Sequence, residues 1–115
     1  MRELDREVLL SLWKVHILHH AGEGPLHGQW MIEELREHGY EISAGTLYPM
    51  LHRMERLGWL KSAADSRNGK RARRDYRLTK EGRKALGIIR ERLEEVYDEV
   101  VRDSKRHKPV RRKKA

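Results

Sequence analysis

The chain has 115 residues and a formal net charge of +8, and this length fits one domain without a second independent core. It contains no cysteine, which excludes disulfides, thiol catalysis and cysteine-based zinc or iron–sulfur sites. Only 37% of its residues are hydrophobic, against roughly 45–50% in ordinary globular chains. A single chain would therefore have a small hydrophobic core, and dimerisation would bury additional apolar surface.

The N-terminal segment lacks the basic-then-apolar layout of a signal peptide, and no apolar run approaches the roughly 20 residues of a membrane-spanning helix. We therefore expect a cytoplasmic protein that does not contact the membrane. The sequence also lacks paired carboxylates in an apolar setting, a nucleophile motif and a phosphate-binding glycine loop. These absences favour a protein that is not an enzyme and needs no cofactor.

Positive charge is concentrated in the middle of the chain. Residues 1–42 hold 4 Lys or Arg and 8 Asp or Glu, residues 43–84 hold 12 and 4, and residues 85–115 hold 10 and 6. The regional net charges are therefore −4, +8 and +4. Basic groups gathered on one supersecondary unit suit phosphate binding, because each neutralised phosphate releases counterions.

Two helices are predicted in the first third of the chain. Residues 4–20 carry more apolar side chains than one helical stripe can hold, which predicts a helix buried on two sides. After an Ala-Gly-Glu-Gly-Pro break, a second helix is predicted over residues 27–38, and Gly39 is placed to end it.

A third helix is predicted to end at Leu57, before a glycine. Pro49 lies within it, where proline lacks an amide and clashes with the preceding turn. We therefore expect the helix to begin at a Thr46 cap, or to kink at Gly45, rather than to run unbroken from Ala44. The predicted buried stripe of this helix consists of Leu47, Met50, Leu51, Met54 and Leu57.

Two β-prone runs follow, over residues 59–65 and 72–79. Between them lie Asn68 and Gly69, a strong hairpin signal because a type I′ turn needs positive φ at both central residues. A two-stranded wing is therefore predicted. Alternation along its second strand turns Tyr76 toward the core and neighbouring arginines outward.

A last helix is predicted from a Thr79 cap to about residue 104. Apolar residues repeat along it at heptad spacing, at Leu86, Ile89, Leu93, Val96 and Val100. This repeat is typical of a seam for another helix, and Leu9, Trp13 and Tyr97 complete the predicted dimer interface. The expected organisation is a DNA-binding domain over 1–80, a dimerisation helix over 81–104 and a flexible basic tail over 105–115.

Three helices followed by a hairpin form a winged helix-turn-helix, a mainly α (α+β) fold whose third helix enters the major groove of double-stranded DNA. Side chains on that helix can bond phosphates or base edges, and the wing can follow the DNA backbone. The candidate DNA-binding residues are Ser43, Thr46, Tyr48, Pro49, His52, Arg53, Lys70, Arg71, Arg73 and Arg74. The alternatives are a solvated hairpin face for the arginines and a core-edge aromatic for Tyr48.

Several short motifs are spread along this pattern. They are Leu26-His27-Gly28, Glu34-Leu35, Gly45-Thr46-Leu47-Tyr48-Pro49, Leu51-His52-Arg53-Met54-Glu55, Leu57-Gly58 and Tyr76-Arg77-Leu78-Thr79-Lys80-Glu81-Gly82. Over about residues 8–104, the chain resembles the PadR family of transcriptional regulators, and the Gly-Thr-Leu-Tyr-Pro run is quite specific to that family. The resemblance implies the short-chain type of PadR regulator, a homodimer joined by its first and last helices that contacts DNA through the third helix and wing and usually represses.

A ligand site and a metal site are weighed beside this interpretation. Some multidrug-responsive members of the family place a tryptophan in the C-terminal helix, which this chain lacks, so only Trp13 or Tyr97 could contact a small-molecule effector in its place. His16 and His20 share a helix face at a spacing that can bind a metal. Because we find no carboxylate or cysteine at a matching separation, we expect surface or interfacial histidines and no metal site.

The sequence therefore predicts a sequence-specific DNA-binding regulator that represses transcription as a homodimer on an inverted-repeat operator, with a small ligand as the candidate inducer. Two alternatives are a non-specific architectural DNA-binding protein, which the basic wing and tail alone could support, and a metal-responsive regulator.

Overall fold

The computed structural model describes residues 2–64 and 74–103, with side chains from residue 6 onward. Within these ranges the elements are α1 (Arg2–Glu23), β1 (Leu26–His27), α2 (Gly28–Glu37), α3 (Ala44–Arg56), β2 (Leu60–Ala64), β3 (Arg74–Leu78), α4 (Lys80–Val96) and a π-helical segment (Tyr97–Arg102) that continues α4. This order confirms the predicted α+β winged-helix class. The predicted hairpin turn and the basic tail lie outside the described residues. No helix in the described ranges is both long and apolar enough to cross a membrane.

Local backbone chemistry correctly predicted where several helices begin and end. Gly39 and Gly58 follow α2 and α3 with φ of +91° and +88°, a region that glycine adopts without strain. After each glycine, the next amide donates to the carbonyl five residues earlier at 3.0 Å, which is a Schellman-type helix end. The Thr79 hydroxyl accepts a hydrogen bond from the Gly82 amide at 2.9 Å and caps α4 as predicted.

The start of α3 differs from its prediction. The helix runs unbroken from Ala44 with Ser43 at its N-cap, so the expected start at Thr46 or kink at Gly45 is wrong. Pro49 leaves the Gly45 carbonyl without its helical partner and costs about 3 kcal/mol. Burial outweighs that cost, because each large apolar side chain buried contributes about 1.5–3 kcal/mol. Four such side chains, at most 7% exposed, line the inner side of α3: Leu47, Met50, Leu51 and Met54.

The sheet has three strands where two were predicted. β3 is the central strand, antiparallel to both neighbours, with Leu60 of β2 opposite Leu78 and Leu26 of β1 opposite Tyr76. The sequence analysis missed β1 because two residues are too few to show a strand alternation. Tyr76 and Leu78 face the core at 1% and 9% exposure, and Arg77 is exposed between them, as the alternation predicted.

One hydrophobic core joins α1, α2, α3 and the sheet to the first turns of α4. Leu57, predicted to be buried, is 47% exposed because α3 ends one residue before it. From Glu91 to Arg102, α4 and the π-helical segment leave the core and every residue is exposed. The largest fully buried side chains are Tyr76, Ile17, Leu18, Leu26, Met31, Leu35, Leu47, Leu51, Met54 and Leu60.

Candidate nucleic-acid interface

The outer side of α3 presents polar groups near the start of the helix. Ser43, Pro49, His52 and Arg53 are exposed and Thr46 is half-buried. In the described chain, the Ser43 side chain makes no hydrogen bond to the first-turn amides, and its hydroxyl lies 3.4 Å from that of Thr46. The positive end of the helix dipole is therefore open to an anion such as a DNA phosphate.

Tyr48 is placed differently from these neighbours. Its side chain is half-buried, and a Cβ added to Gly28 would come within 2.5 Å of its ring and of its hydroxyl oxygen. The ring therefore lies against the first residue of α2, where a larger side chain would require the ring to move. Tyr48 thus contributes to the packing of α3 on α2, which matches the core-edge alternative considered for it.

A hydrogen-bond network joins the C-terminal half of α3 to the base of the wing. One carboxylate oxygen of Glu55 on α3 accepts the Ser62 backbone N–H at 3.1 Å and the Ser62 hydroxyl at 2.8 Å. The Arg74 guanidinium on β3 donates to the same hydroxyl at 3.1 Å. The network therefore ties the helix to both long strands of the sheet, and we call it the Glu55–Ser62–Arg74 link.

The electrostatics of this link keep Glu55 ionised. Desolvation by burial raises the pKa of Glu55, but the two hydrogen bonds from Ser62, followed by the electrostatic influence of Arg74 and His52, act in the opposite direction. Their combined effect leaves the pKa below its ordinary value. The carboxylate is therefore charged at neutral pH and available as an acceptor.

A second contact holds β1 to the wing. Nδ1 of His27 lies 2.9 Å from Oδ1 of Asp75; both atoms are withdrawn from solvent, and neither makes a hydrogen bond within the described residues. The two residues are register partners on β1 and β3. Because α2 begins at the next residue, Gly28, the pairing of β1 with β3 holds the start of the helix-turn-helix against the central strand.

Exposed basic groups accompany the wing. Lys61 and Arg77 are register partners on the outer side of β2 and β3. Arg74 is exposed at the end of β3 while bonded to Ser62. The remaining predicted wing residues lie outside the described residues: Lys70, Arg71 and Arg73.

The residues predicted for a dimer interface fall into two groups. Trp13 and Leu86 are each 4% exposed, and Leu9 and Ile89 are half-buried against the same core. Trp13 and Leu86 are therefore core residues of the protomer and leave little surface for a second chain. The other four side chains are exposed: 41% for Leu93, 54% for Val96, 52% for Tyr97 and 60% for Val100.

The two candidate ligand residues also differ in accessibility. Trp13 is buried in the core and packs edge-on against Tyr40 with ring centroids 5.9 Å apart, so the protomer leaves little of its ring open to a small molecule. Tyr97 lies on an open surface groove that Leu93, Asp98 and Arg102 also line. Of the two, Tyr97 alone is open to a small molecule in the described chain.

Sequence reasoning missed the residues that position this surface. Glu55 lay within a recognised motif and was given no role, although an acidic side chain at the edge of a buried stripe is a signal that a partner is needed. Ser62 carried no signal, and Gly28 lay in a recognised motif but was given no role, because both roles depend on contacts with α3.

Comparisons with known proteins agree with this geometry. The model of the "Transcriptional regulator PadR-like family" matches residues 17–88. Transcriptional regulator Rv3488 of Mycobacterium tuberculosis is 48% identical over 101 residues, covering 88% of this chain and 90% of the relative.

Two solved structures extend the comparison to the fold. A PadR family transcriptional regulator from Eggerthella lenta is 30% identical with a TM-score of 0.70, covering 86% of this chain and 90% of the other. A transcriptional regulator from Clostridium thermocellum is 28% identical with a TM-score of 0.69, covering 83% and 95%. The chain therefore belongs to the PadR-like family of transcriptional regulators, which bind DNA and are not enzymes.

Proposed function

We propose that this regulator is a repressor that binds an inverted-repeat operator as a homodimer, with α3 of each protomer in the major groove. One observation carries the proposal: the Glu55–Ser62–Arg74 link makes α3 and the base of the wing a single unit. Two surfaces held at a constant separation can contact a groove and the adjacent phosphates of one duplex together. The charge of +8 on residues 43–84 suits that role.

Within this unit, we assign base readout to α3 and backbone contacts to the wing. His52 and Arg53 are exposed on α3 and carry donors that can bond base edges. Ser43 and Thr46 lie where the helix dipole favours a phosphate, with Tyr48 and Pro49 beside them. The wing residues assigned to the DNA backbone are Lys70, Arg71, Arg73 and Arg74.

We assign the dimer contact to residues 81–104. Leu93, Val96 and Val100 repeat at heptad spacing and are 41–60% exposed, and the helix that carries them extends beyond the protomer core. Exposed apolar side chains at this spacing gain free energy by packing on a second helix, at about 25 cal/mol per Å² buried. A second copy of the chain supplies that helix.

An effector site next to Tyr97 is the last part of the proposal. The Tyr97 ring is 52% exposed and can stack on a planar ligand. Glu94 lines the same groove, where Nη1 of Arg102 lies 3.4 Å from Oδ1 of Asp98 and offsets its charge. The ring face together with the Glu94 carboxylate suits a planar cation. Such a compound should release the operator from the wild type and not from Tyr97→Ala.

Selection of bound duplexes from a random pool tests the proposed function. A dimer should select an inverted repeat whose half-sites are about one DNA turn, roughly 34 Å, apart. The selected duplex should bind at least about a thousandfold tighter than a scrambled one at physiological salt. A single salt-steep affinity for every duplex would instead identify an architectural DNA-binding protein.

A further inference from the structure

Three potential metal ligands meet at the last turn of α1. His20 Nδ1 lies 2.9 Å from Oε1 of Glu23, and His19 Nε2 lies 3.3 Å from Oε2 of the same carboxylate. One ligand atom from each residue lies within 4.8 Å of the other two. The sequence analysis found no carboxylate at a suitable spacing from the histidines. The structure supplies one in Glu23, which lies four residues after His19 and three after His20.

A second carboxylate comes from α2, where only the fold could place it. Oε2 of Glu34 lies 3.6 Å from His20 Nε2, the ring nitrogen that faces away from Glu23, and 3.3 Å from His38 Nε2. Trp30 packs edge-on against the His20 ring with centroids 5.3 Å apart. The His20 ring is thus oriented on three sides.

We propose that His19, His20 and Glu23 bind a divalent cation of the zinc class, with Glu34 orienting His20 from α2. Nitrogen ligands from imidazole together with one carboxylate suit Zn²⁺, Co²⁺ or Ni²⁺ better than Mg²⁺, which prefers oxygen ligands alone. A metal-bound histidine that donates its other N–H to a carboxylate is a common arrangement in such sites.

The distances agree with a single ion. Zinc bonds of about 2.0–2.2 Å to nitrogen and oxygen give tetrahedral ligand separations of roughly 3.3 Å, and the two closest ligand pairs are 2.9 and 3.3 Å apart. The ligands also stand at the C-terminal end of α1, where the negative end of the helix dipole favours a cation. The side chains of His19 and Glu23 are 47% and 60% exposed, so an ion can enter from solvent.

The site has a direct connection to the DNA-binding unit. Glu23 is followed by β1 and α2, and Glu34 lies on α2, whose first residue packs against Tyr48 of α3. An ion bound at the end of α1 fixes the His20 ring, and through the contact of His20 with Glu34 it would brace the helix that supports α3. The binding itself does not depend on DNA, so the site can be tested without an operator.

Calorimetric titration of the full chain with Zn²⁺, after removal of metal by a chelator, tests the proposal. One saturable site per chain is expected, with no comparable heat from Mg²⁺. The thermal unfolding midpoint should rise with Zn²⁺ concentration, because an ion that binds the folded state alone stabilises it. Absence of saturable Zn²⁺ binding by the wild type would overturn the proposal.

Matched variants locate the site. His19→Ala and Glu23→Gln each remove a ligand from an exposed side chain and should weaken Zn²⁺ binding by at least about tenfold. Glu34→Gln removes the orienting partner of His20 and should weaken Zn²⁺ binding by about tenfold. His52→Ala is the control, since His52 is an exposed histidine on α3, and it should bind Zn²⁺ as the wild type does. Wild-type affinity in both His19→Ala and Glu23→Gln, or equal weakening in His52→Ala, would show that the ion binds elsewhere.

Discussion

Removal of the Glu55 carboxylate should loosen α3 from the wing. Glu55→Ala deletes the acceptor of two hydrogen bonds, from the Ser62 backbone N–H at 3.1 Å and from its hydroxyl at 2.8 Å. Each such bond contributes about 1 kcal/mol net, and more when the acceptor is charged. Because Glu55 and Ser62 are only half-buried, we expect a loss of about 2 kcal/mol in the free energy of unfolding.

Urea unfolding followed by tryptophan fluorescence, at one protein concentration throughout, measures this loss. Ser62→Ala removes the hydroxyl and keeps the backbone donor, so it should cost about half as much. The double variant should cost less than the sum of the two single variants, since the residues share a bond. Glu33→Ala, which removes an exposed glutamate on α2, is the control and should stay within about 0.5 kcal/mol of the wild type.

The pH dependence of the same loss follows from the lowered pKa of Glu55. The folded-state pKa lies below the ordinary value of 4.5, so the stabilisation is complete above that value and disappears as pH falls through the folded-state pKa. The difference between wild type and Glu55→Ala should therefore be constant near neutral pH and shrink in acid. A difference no larger than that of the control at pH 7, or one that grows in acid, would refute the role given to Glu55.

Three further variants test packing and assembly. Gly28→Ala would place a methyl group against the Tyr48 ring and should lower the free energy of unfolding by about 1–3 kcal/mol, as thermal denaturation would show. Gly82→Ala would overlap the carbonyl oxygen of Trp59 at the start of α4 and should cost at least as much, because backbone cannot rotate aside. Leu93→Glu should place charge in the helix seam and yield monomers in sedimentation, and an unchanged dimer would contradict the assigned interface.

Local chemistry made much of the fold predictable. The glycine ends of α2 and α3, the Thr79 cap and the inward direction of Tyr76 each depend on a few neighbouring residues. The start of α3 was missed because the cost of Pro49 is a local signal, whereas the burial that outweighs it depends on the whole core. Sequence pattern therefore predicted the helix boundaries that depend on neighbouring residues and missed the one that depends on burial.

The exposed side chains of the candidate site could be predicted from the sequence, but the hydrogen bonds and contacts between its helices and strands could not. The exposure of His52 and Arg53 follows from helical periodicity, and the structure agrees. The bond between Glu55 and Ser62 depends on how a helix turns into a strand, which no spacing rule describes. The approach of Glu34 to His20 likewise requires the packing angle of α1 and α2.

The central claim is that α3 reads the sequence while the wing holds the DNA backbone, and competition binding on the selected and scrambled duplexes tests it most directly. His52→Ala should weaken binding to the selected duplex by about 1–3 kcal/mol and leave the scrambled duplex nearly unchanged. Lys70→Ala, which leaves the Glu55–Ser62–Arg74 link intact, should weaken both duplexes alike and reduce the salt slope by about one phosphate contact. If His52→Ala weakened both duplexes equally, or if Lys70→Ala weakened only the selected one, the assignment of roles would be contradicted.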